Sequence, residues 1–245
     1  MTKRRLDLLL VERGLIDRRD AARAAVLAGE VLVDGHRAPS PAALVAEDAR
    51  IELAQPARYV SRGGEKLEHA LRVFALDVRG LVALDAGASA GGFTDCLLQH
   101  GAAGVYAVDV GYGQLAYRLR NDERVVVLER TNIRELAALP EAPQLATIDV
   151  SFIGLEQVLP NVVRLLRPGG RIVALVKPQF QAKRSEVGKG GVVKDPLVHA
   201  AVIGRIVAWA AGQGLRFGGL ARSPLLGPAG NKEFFVLWTA PAAKH

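Results

Sequence analysis

The chain has 245 residues, half of them apolar, with 32 Lys/Arg against 25 Asp/Glu and a formal net charge of +7. That length supports one or two domains with a sizeable core, and the basic excess favours a polyanionic partner. No stretch approaches the roughly 18 consecutive apolar residues of a membrane span, and the single cysteine, Cys96, excludes an internal disulfide and fits a reducing compartment.

The chain opens MTKRRLDLLLVERG. Asp7 and Glu12 break its apolar segment and no small-residue cleavage site follows, so it is read as a helix of a cytoplasmic protein, not a signal peptide. Leu6, Leu9, Leu10 and Leu15 recur at near-helical spacing. Arg18, Arg19 and Asp20 open a second helix, Ala21 to Ala28, closed by Gly29. Short strands follow: EVLV, a turn at Asp34-Gly35, and later ARIEL. Two helices and a hairpin within residues 1–55 suit a binding module better than an enzyme core. This segment holds nine Lys/Arg and nine Asp/Glu, so any basic face on it has an acidic back.

A linker is expected at 56–62 and a second domain at 63–245. From Leu81 onward apolar strands alternate with helical patterns: LVAL (81–84), GVYAV (104–108), RVVVL (124–128), LATI (145–148) and RIVALV (171–176). This alternation predicts a parallel, doubly wound α/β sheet. Asp195-Pro196 opens a long helix to about Ala211, with Asp as N-cap and Pro at the first helical position. Strands near LRFGGLARS and KEFFVLW end the chain, and a closing antiparallel strand gives the methyltransferase variant of the Rossmann theme.

The first strand runs into Asp85-Ala86-Gly87-Ala88-Ser89-Ala90-Gly91-Gly92-Phe93. Small residues let the backbone turn sharply against a bound nucleoside. Asp109 ends the next strand, placed to accept from ribose hydroxyls. A glycine loop plus an acid about 20 residues on also suits a dinucleotide, but the spacing here, D-x-G-x-x-x-G-G-F, fits an S-adenosylmethionine loop. Candidate cofactor contacts are therefore Asp85, Gly87, Ala88, Ser89, Gly91, Gly92, Phe93, Asp109 and Asp149. After the third strand, Asn132 can pair with an adenine edge; equally, it can cap a helix beginning near Ile133.

IVALVKPQF (172–180) is an apolar strand that ends in a cation, Lys177. In open α/β sheets ligands bind beyond the carboxyl ends of the strands, which is where Lys177 and Asp149 both fall. Lys66 lies on a helix before the first strand and Glu233 opens the last one. From Arg164 to Lys194 there are eight basic residues and one acid, Glu186. The glycine-rich part of this stretch, 181–194, is read as a lid on nucleic-acid phosphates carrying Lys183, Arg184 and Lys189, with Arg62 a further basic contact. No metal-ligand spacing and no signal of oligomeric state is visible.

RLDLLLVERGLIDRRDAARAAVLAGEVLVDGHRA resembles an S4 RNA-binding domain. The resemblance implies that Lys3, Arg4, Arg5, Arg18, Arg19 and Arg23 face RNA phosphates, which position the protein without specifying sequence. RYVSRGGEKLEHAL, DAGASAGGFTDCLLQHGA, DVSFI, LVKPQFQ and VGKGGVVKDP resemble the TlyA, or haemolysin-A-like, family, which joins an S4 domain to an FtsJ-like methyltransferase. That family's K-D-K-E tetrad maps by motif onto Lys66, Asp149, Lys177 and Glu233. The implied activity is S-adenosylmethionine-dependent methylation of a cytidine 2′-hydroxyl in ribosomal RNA, free or in a ribosomal subunit. A ribose hydroxyl must lose its proton as it attacks a sulfonium methyl, and a lysine at the reference pKa of about 10.4 cannot take it. Two roles for Lys177 stay open: general base, or a charge that steers the hydroxyl. Other readings are base methylation, for which DVSF lacks the usual N/D-P-P loop, a non-enzymatic assembly factor, and pore formation, for which no membrane segment is present.

Overall fold

The computed structural model describes residues 2–27, 29–53 and 58–242, and the chain divides into two compact units, Met1–Ala57 and Arg58–His245. Ala28, the expected end of the second helix, Gln55, the expected end of the first domain, and Pro56 and Ala57 of the expected linker lie outside the described residues.

The first unit runs β1 (Lys3–Arg5), α1 (Leu6–Glu12), α2 (Arg19–Leu27), β2 (Val31–Val33), β3 (His36–Arg37), β4 (Leu44–Ala46) and β5 (Ile51–Leu53). Leu6 and Leu10 of α1 pack on Ala22 and Val26 of α2 and on Val31, forming a small core of their own. Asp34 and Gly35 both have positive φ and join β2 to β3, while β2 also pairs with β5. The antiparallel pair of β1 with β4 has no counterpart in the sequence reading, because Lys3-Arg4-Arg5 carries no apolar alternation to mark a strand.

The second unit runs α3 (Arg62–Val73), β6 (Val82–Ala86), α4 (Gly92–Gln99), β7 (Gly104–Val108), α5 (Tyr117–Arg120), β8 (Val125–Leu128), β9 (Leu145–Ile148), α6 (Leu155–Leu165), β10 (Arg171–Val176), α7 (Pro178–Gln181), α8 (Pro196–Gly212), β11 (Arg216–Arg222) and β12 (Phe234–Thr239). Arg62, expected in the linker, is the first residue of α3, and Ser61 Oγ before it accepts from Gly63 N. The helix expected from about Ile133 is only a turn.

Seven strands form one sheet in the order β11-β12-β10-β9-β6-β7-β8. β10, β9, β6, β7 and β8 are mutually parallel, and β12 is inserted antiparallel between β10 and β11. This is the expected α/β methyltransferase arrangement. Helices cover both faces, so each central strand sends alternate side chains to two cores. Along β10, Val173 and Leu175 join α3 and α4, whereas Ile172, Ala174 and Val176 join α6 and α8. The chain builds β6, β7 and β8 outward in one direction and returns to place β9 on the other side of β6. The carboxyl ends of β6 and β9 therefore form the topological switch point, where an open sheet leaves a crevice.

Candidate active site

Gly87 follows β6 and Asp149 follows β9, side by side at that crevice. Asp149 N donates to Ala86 O at 2.9 Å. Gly87 has φ +89°, and a Cβ there would meet the Asp149 carbonyl oxygen at 2.5 Å, so only a bare Cα lets the two loops come this close. Beyond them lies a cavity of about 500 Å³ bounded by Gly87, Ser89, Asp109, Asn132, Asp149 and Phe152. Its size suits a nucleoside-bearing ligand. Asp109 Oδ2 accepts from Ser89 N at 2.8 Å and its Oδ1 from Gly111 N at 2.7 Å. Two backbone donors thus fix the carboxylate while each oxygen keeps acceptor capacity toward the cavity.

The side chain of Asn132 is engaged at the turn after β8. Its Oδ1 accepts from Arg134 N at 3.2 Å and its Nδ2 donates to Glu135 at 2.7 Å, which is capping behaviour, although the residue still lines the cavity. Asp85, Ala88, Gly91, Gly92 and Phe93 do not line it. Asp85 is buried beneath the loop, accepting from Thr94 Oγ1 at 2.7 Å and Thr147 Oγ1 at 3.0 Å, and burial pushes its carboxyl up to about 6. Ala88 and Phe93 belong to the α3–α4 core, where Phe93 meets Phe235. Gly91 faces Leu119 and Leu115, and Gly92 faces Ser61 and Gly64. These five shape the loop from below.

Two ion pairs stand at the same sheet edge. Lys177 Nζ lies 2.7 Å from Asp149 Oδ1, at angles outside those of a hydrogen bond, and that oxygen is buried without any hydrogen-bond partner. Nζ donates instead to Ser151 Oγ at 2.9 Å. In the second pair Lys66 Nζ donates to Glu233 Oε2 at 2.6 Å. Glu233 is 1% exposed, and its other oxygen, without a hydrogen-bond partner, packs against the bare Cα of Gly227. Val176 pairs with Phe234 across β10 and β12, so Lys177 and Glu233 occupy the next position of the same two strands. The register thereby joins the two ion pairs into one charged cluster.

Residues missed by sequence reasoning line the rim: Gln114, Thr131, Ser151 and Phe152. Ser151 and Phe152 directly follow Asp149, and that adjacency was the signal for them. Phe152 has φ +64°, is 88% exposed and sits 4.7 Å from Phe180. Thr131 directly precedes Asn132, the same kind of signal, whereas Gln114 left no local trace, because only the fold brings its loop to Asp109. A larger hollow of about 840 Å³ lies outside α3 between Glu68, Arg72, Asp77, Arg79 and His100. It shares no residue with the charged cluster, and its mixed charges fit no single ligand class.

The basic candidates divide by partner. In the first unit the buried Asp7 carboxylate accepts from Arg5 at 3.0 and 2.9 Å and from Arg19 at 3.0 Å, and the Arg5 bond leads in holding it down at about 2. Arg4 pairs with Glu12 and Glu47, and Arg18 lies 4.0 Å from Asp20. Lys3 and Arg23 are exposed. In the second unit Arg62 is exposed and donates to Leu226 O at 3.3 Å, and Lys183, Arg184 and Lys189 are exposed on the segment after α7. That segment, read as a lid, contains two 3-10 turns, Arg184–Glu186 and Lys189–Gly191. Among the described residues no cluster of side chains is suited to a metal ion.

Comparison with known proteins gives the same division. The FtsJ-like methyltransferase family matches residues 59–239 and the S4 domain residues 4–51. YqxC of Bacillus subtilis is 50% identical over 96% of this chain and 85% of its own length. The 16S/23S rRNA (cytidine-2′-O)-methyltransferase TlyA of Mycobacterium tuberculosis is 48% identical over 96% of this chain and 88% of its own length. A solved structure of a hemolysin-like protein from Streptococcus thermophilus superposes with a TM-score of 0.76 at 42% identity, covering 98% of this chain and 90% of that one. S-adenosylmethionine is the cofactor of this family, and the Gly87 cradle and the Asp109 carboxylate suit it. With its crevice at the β6–β9 switch point and a small two-helix unit ahead of it, the chain belongs to the FtsJ-like methyltransferases that carry an S4 domain, alongside the TlyA proteins.

Proposed function

We propose that this protein methylates a ribose 2′-hydroxyl, that of a cytidine, in ribosomal RNA, as free RNA or within a ribosomal subunit in the cytoplasm. What supports this reading is the pair of ion pairs Asp149–Lys177 and Lys66–Glu233, with Lys177 and Glu233 at neighbouring positions past β10 and β12 and Asp149 bounding a nucleoside-sized cavity. Bound S-adenosylmethionine supplies an electrophilic methyl on a sulfonium. Lys177 Nζ is held beside Asp149 and donates to Ser151 Oγ, so it is spatially fixed and acts as a donor. Such a group orients a ribose oxygen and offsets the negative charge that grows there as the proton leaves. Lys66, fixed by the buried Glu233, adds a second positive charge. Asp149 keeps Lys177 in place and presents negative charge toward a sulfonium. The S4 unit docks the RNA through its phosphates.

Purified protein with tritiated S-adenosylmethionine is expected to label rRNA at alkali-resistant positions. Lys177→Ala abolishes labelling while calorimetric binding of S-adenosylmethionine survives. Undiminished turnover in that variant removes Lys177 from the mechanism. The absence of any cofactor binding by the wild-type chain favours an assembly factor instead. As for pore formation, among the described residues no helix is long and apolar enough to cross a membrane.

A further inference from the structure

The segment carrying Lys183, Arg184 and Lys189 leaves the charged cluster at one end and returns to it at the other. It departs covalently from Lys177 through α7. Its return is made by a buried side chain outside the K-D-K-E set, Asn231. Asn231 is 2% exposed. Its Oδ1 accepts from Val193 N at 2.9 Å and its Nδ2 donates to Gly191 O at 2.9 Å, so both halves of one amide grip the far side of the basic segment. Val193 is itself buried, and its carbonyl accepts from His199 Nε2 at 2.8 Å.

The backbone of Asn231 serves the other neighbour. Its carbonyl accepts from Gly227 N at 2.9 Å, and Gly227 is the residue whose bare Cα makes room for Glu233 Oε1. Glu233 follows two residues later and holds Lys66. One residue therefore bonds through its side chain to the segment bearing exposed cations and through its main chain to the turn enclosing the buried carboxylate. An amide is suited to this task because it offers a donor and an acceptor in one rigid plane.

On the basis of the ribose methylation described above, we propose that Asn231 is a positioning residue that fixes the register of the basic segment 182–195 against the Lys66–Glu233 pair, so that Lys183, Arg184 and Lys189 hold the RNA backbone with one ribose at Lys177. It touches neither cofactor nor ribose, and it acts on where the phosphates are held.

The test uses the full chain, deproteinised rRNA and tritiated S-adenosylmethionine. Asn231→Asp keeps the acceptor for Val193 N and the side-chain volume, but sets a carboxylate oxygen against Gly191 O. It is expected to raise the KM for RNA about tenfold and leave the calorimetric Kd for S-adenosylmethionine unchanged. It also lowers the slope of log kcat/KM against log salt by about 1 to 2, since each lost phosphate contact contributes roughly 0.7. Lys183→Ala/Lys189→Ala gives the same signature, and adding Asn231→Asp to it changes KM less than twofold, because the two act through one set of contacts. The Gly190→Ala/Gly191→Ala variant attacks the staple from the exposed side, where both glycines have positive φ and no neighbour within 4 Å of an added Cβ. It reproduces the effect even if Asn231→Asp fails to fold. The role is overturned if the Asn231 and lysine effects multiply, if the salt slope stays constant, or if cofactor affinity falls in step with RNA affinity. A wild-type chain that binds S-adenosylmethionine but labels no RNA overturns the underlying function and this role with it, a result distinct from all three.

Discussion

Asp85 is a buried carboxylate beneath the site. It is the penultimate residue of β6, just before the Gly87 turn, fully buried, with two threonine hydroxyls donating to it. Burial disfavours its charged form and raises its pKa to about 6 in the folded state, against about 3.9 in an unfolded chain. The folded protein therefore holds this proton more tightly than the unfolded one. The sign follows: between pH 4 and 6 the unfolded state has lost the proton while the folded state retains it, so stability falls as pH rises through that window and levels off above it. The gap between the folded and unfolded values corresponds to ~3 kcal/mol. Asp85→Asn cannot titrate, so denaturant unfolding of the variant loses this downward slope between pH 4 and 6. Equal slopes in the two proteins mean that Asp85 is already charged at pH 4 when folded.

At the scale of elements, the placement of Lys66 depends on how closely α3 approaches α4. A Cβ on Gly92 would meet Ser61 Oγ at 2.2 Å and Gly64 N at 2.9 Å, whereas one on Gly63 would meet no atom closer than 3.2 Å. Gly92→Ala must push the helices apart, which carries Lys66 away from Glu233 and costs roughly 1–3 kcal/mol of overpacking strain. Gly63→Ala is expected to stay within about 0.5 kcal/mol of the wild type and to keep its activity. Thermal melts and methyl-transfer rates of the pair check this, and equal losses would remove the helix contact as the cause. The five central strands were legible because each is a mainly apolar run bounded by polar turns, and the Asp195-Pro196 start of α8 because Asp195 Oδ1 caps Leu197 N at 2.8 Å. The Asp149–Lys177 approach was inferable from strand ends alone. The Gly92 contact, the Asn231 staple and the burial of Asp85 were not, since each depends on a partner dozens of residues away that only packing supplies. Asp85 and Gly92 read as cofactor contacts because a motif records that a small or acidic residue is needed, and does not record what it faces.

Across the whole molecule, charge is divided unevenly. Nine of the 32 basic residues and nine of the 25 acidic ones fall in the first 55 positions, which leaves the entire excess of +7 on the methyltransferase unit. Three of the candidate RNA-facing cations of the first unit are also committed to carboxylates: Arg5 and Arg19 to Asp7, and Arg4 to Glu12 and Glu47. A cation that exchanges a carboxylate for a phosphate releases fewer counterions than a free one, and counterion release sets the salt dependence of RNA binding. The two units should therefore contribute differently, the first through shape and orientation and the second through charge. A chain beginning at Arg58, which retains both sheet cores, is expected to bind S-adenosylmethionine as the full chain does and to lose at least tenfold in KM for rRNA. Its slope of log affinity against log salt should fall by less than one third. If that slope instead collapses by more than half, the S4 unit supplies most of the phosphate contacts, and the exposed Lys183, Arg184 and Lys189 are spectators in RNA capture.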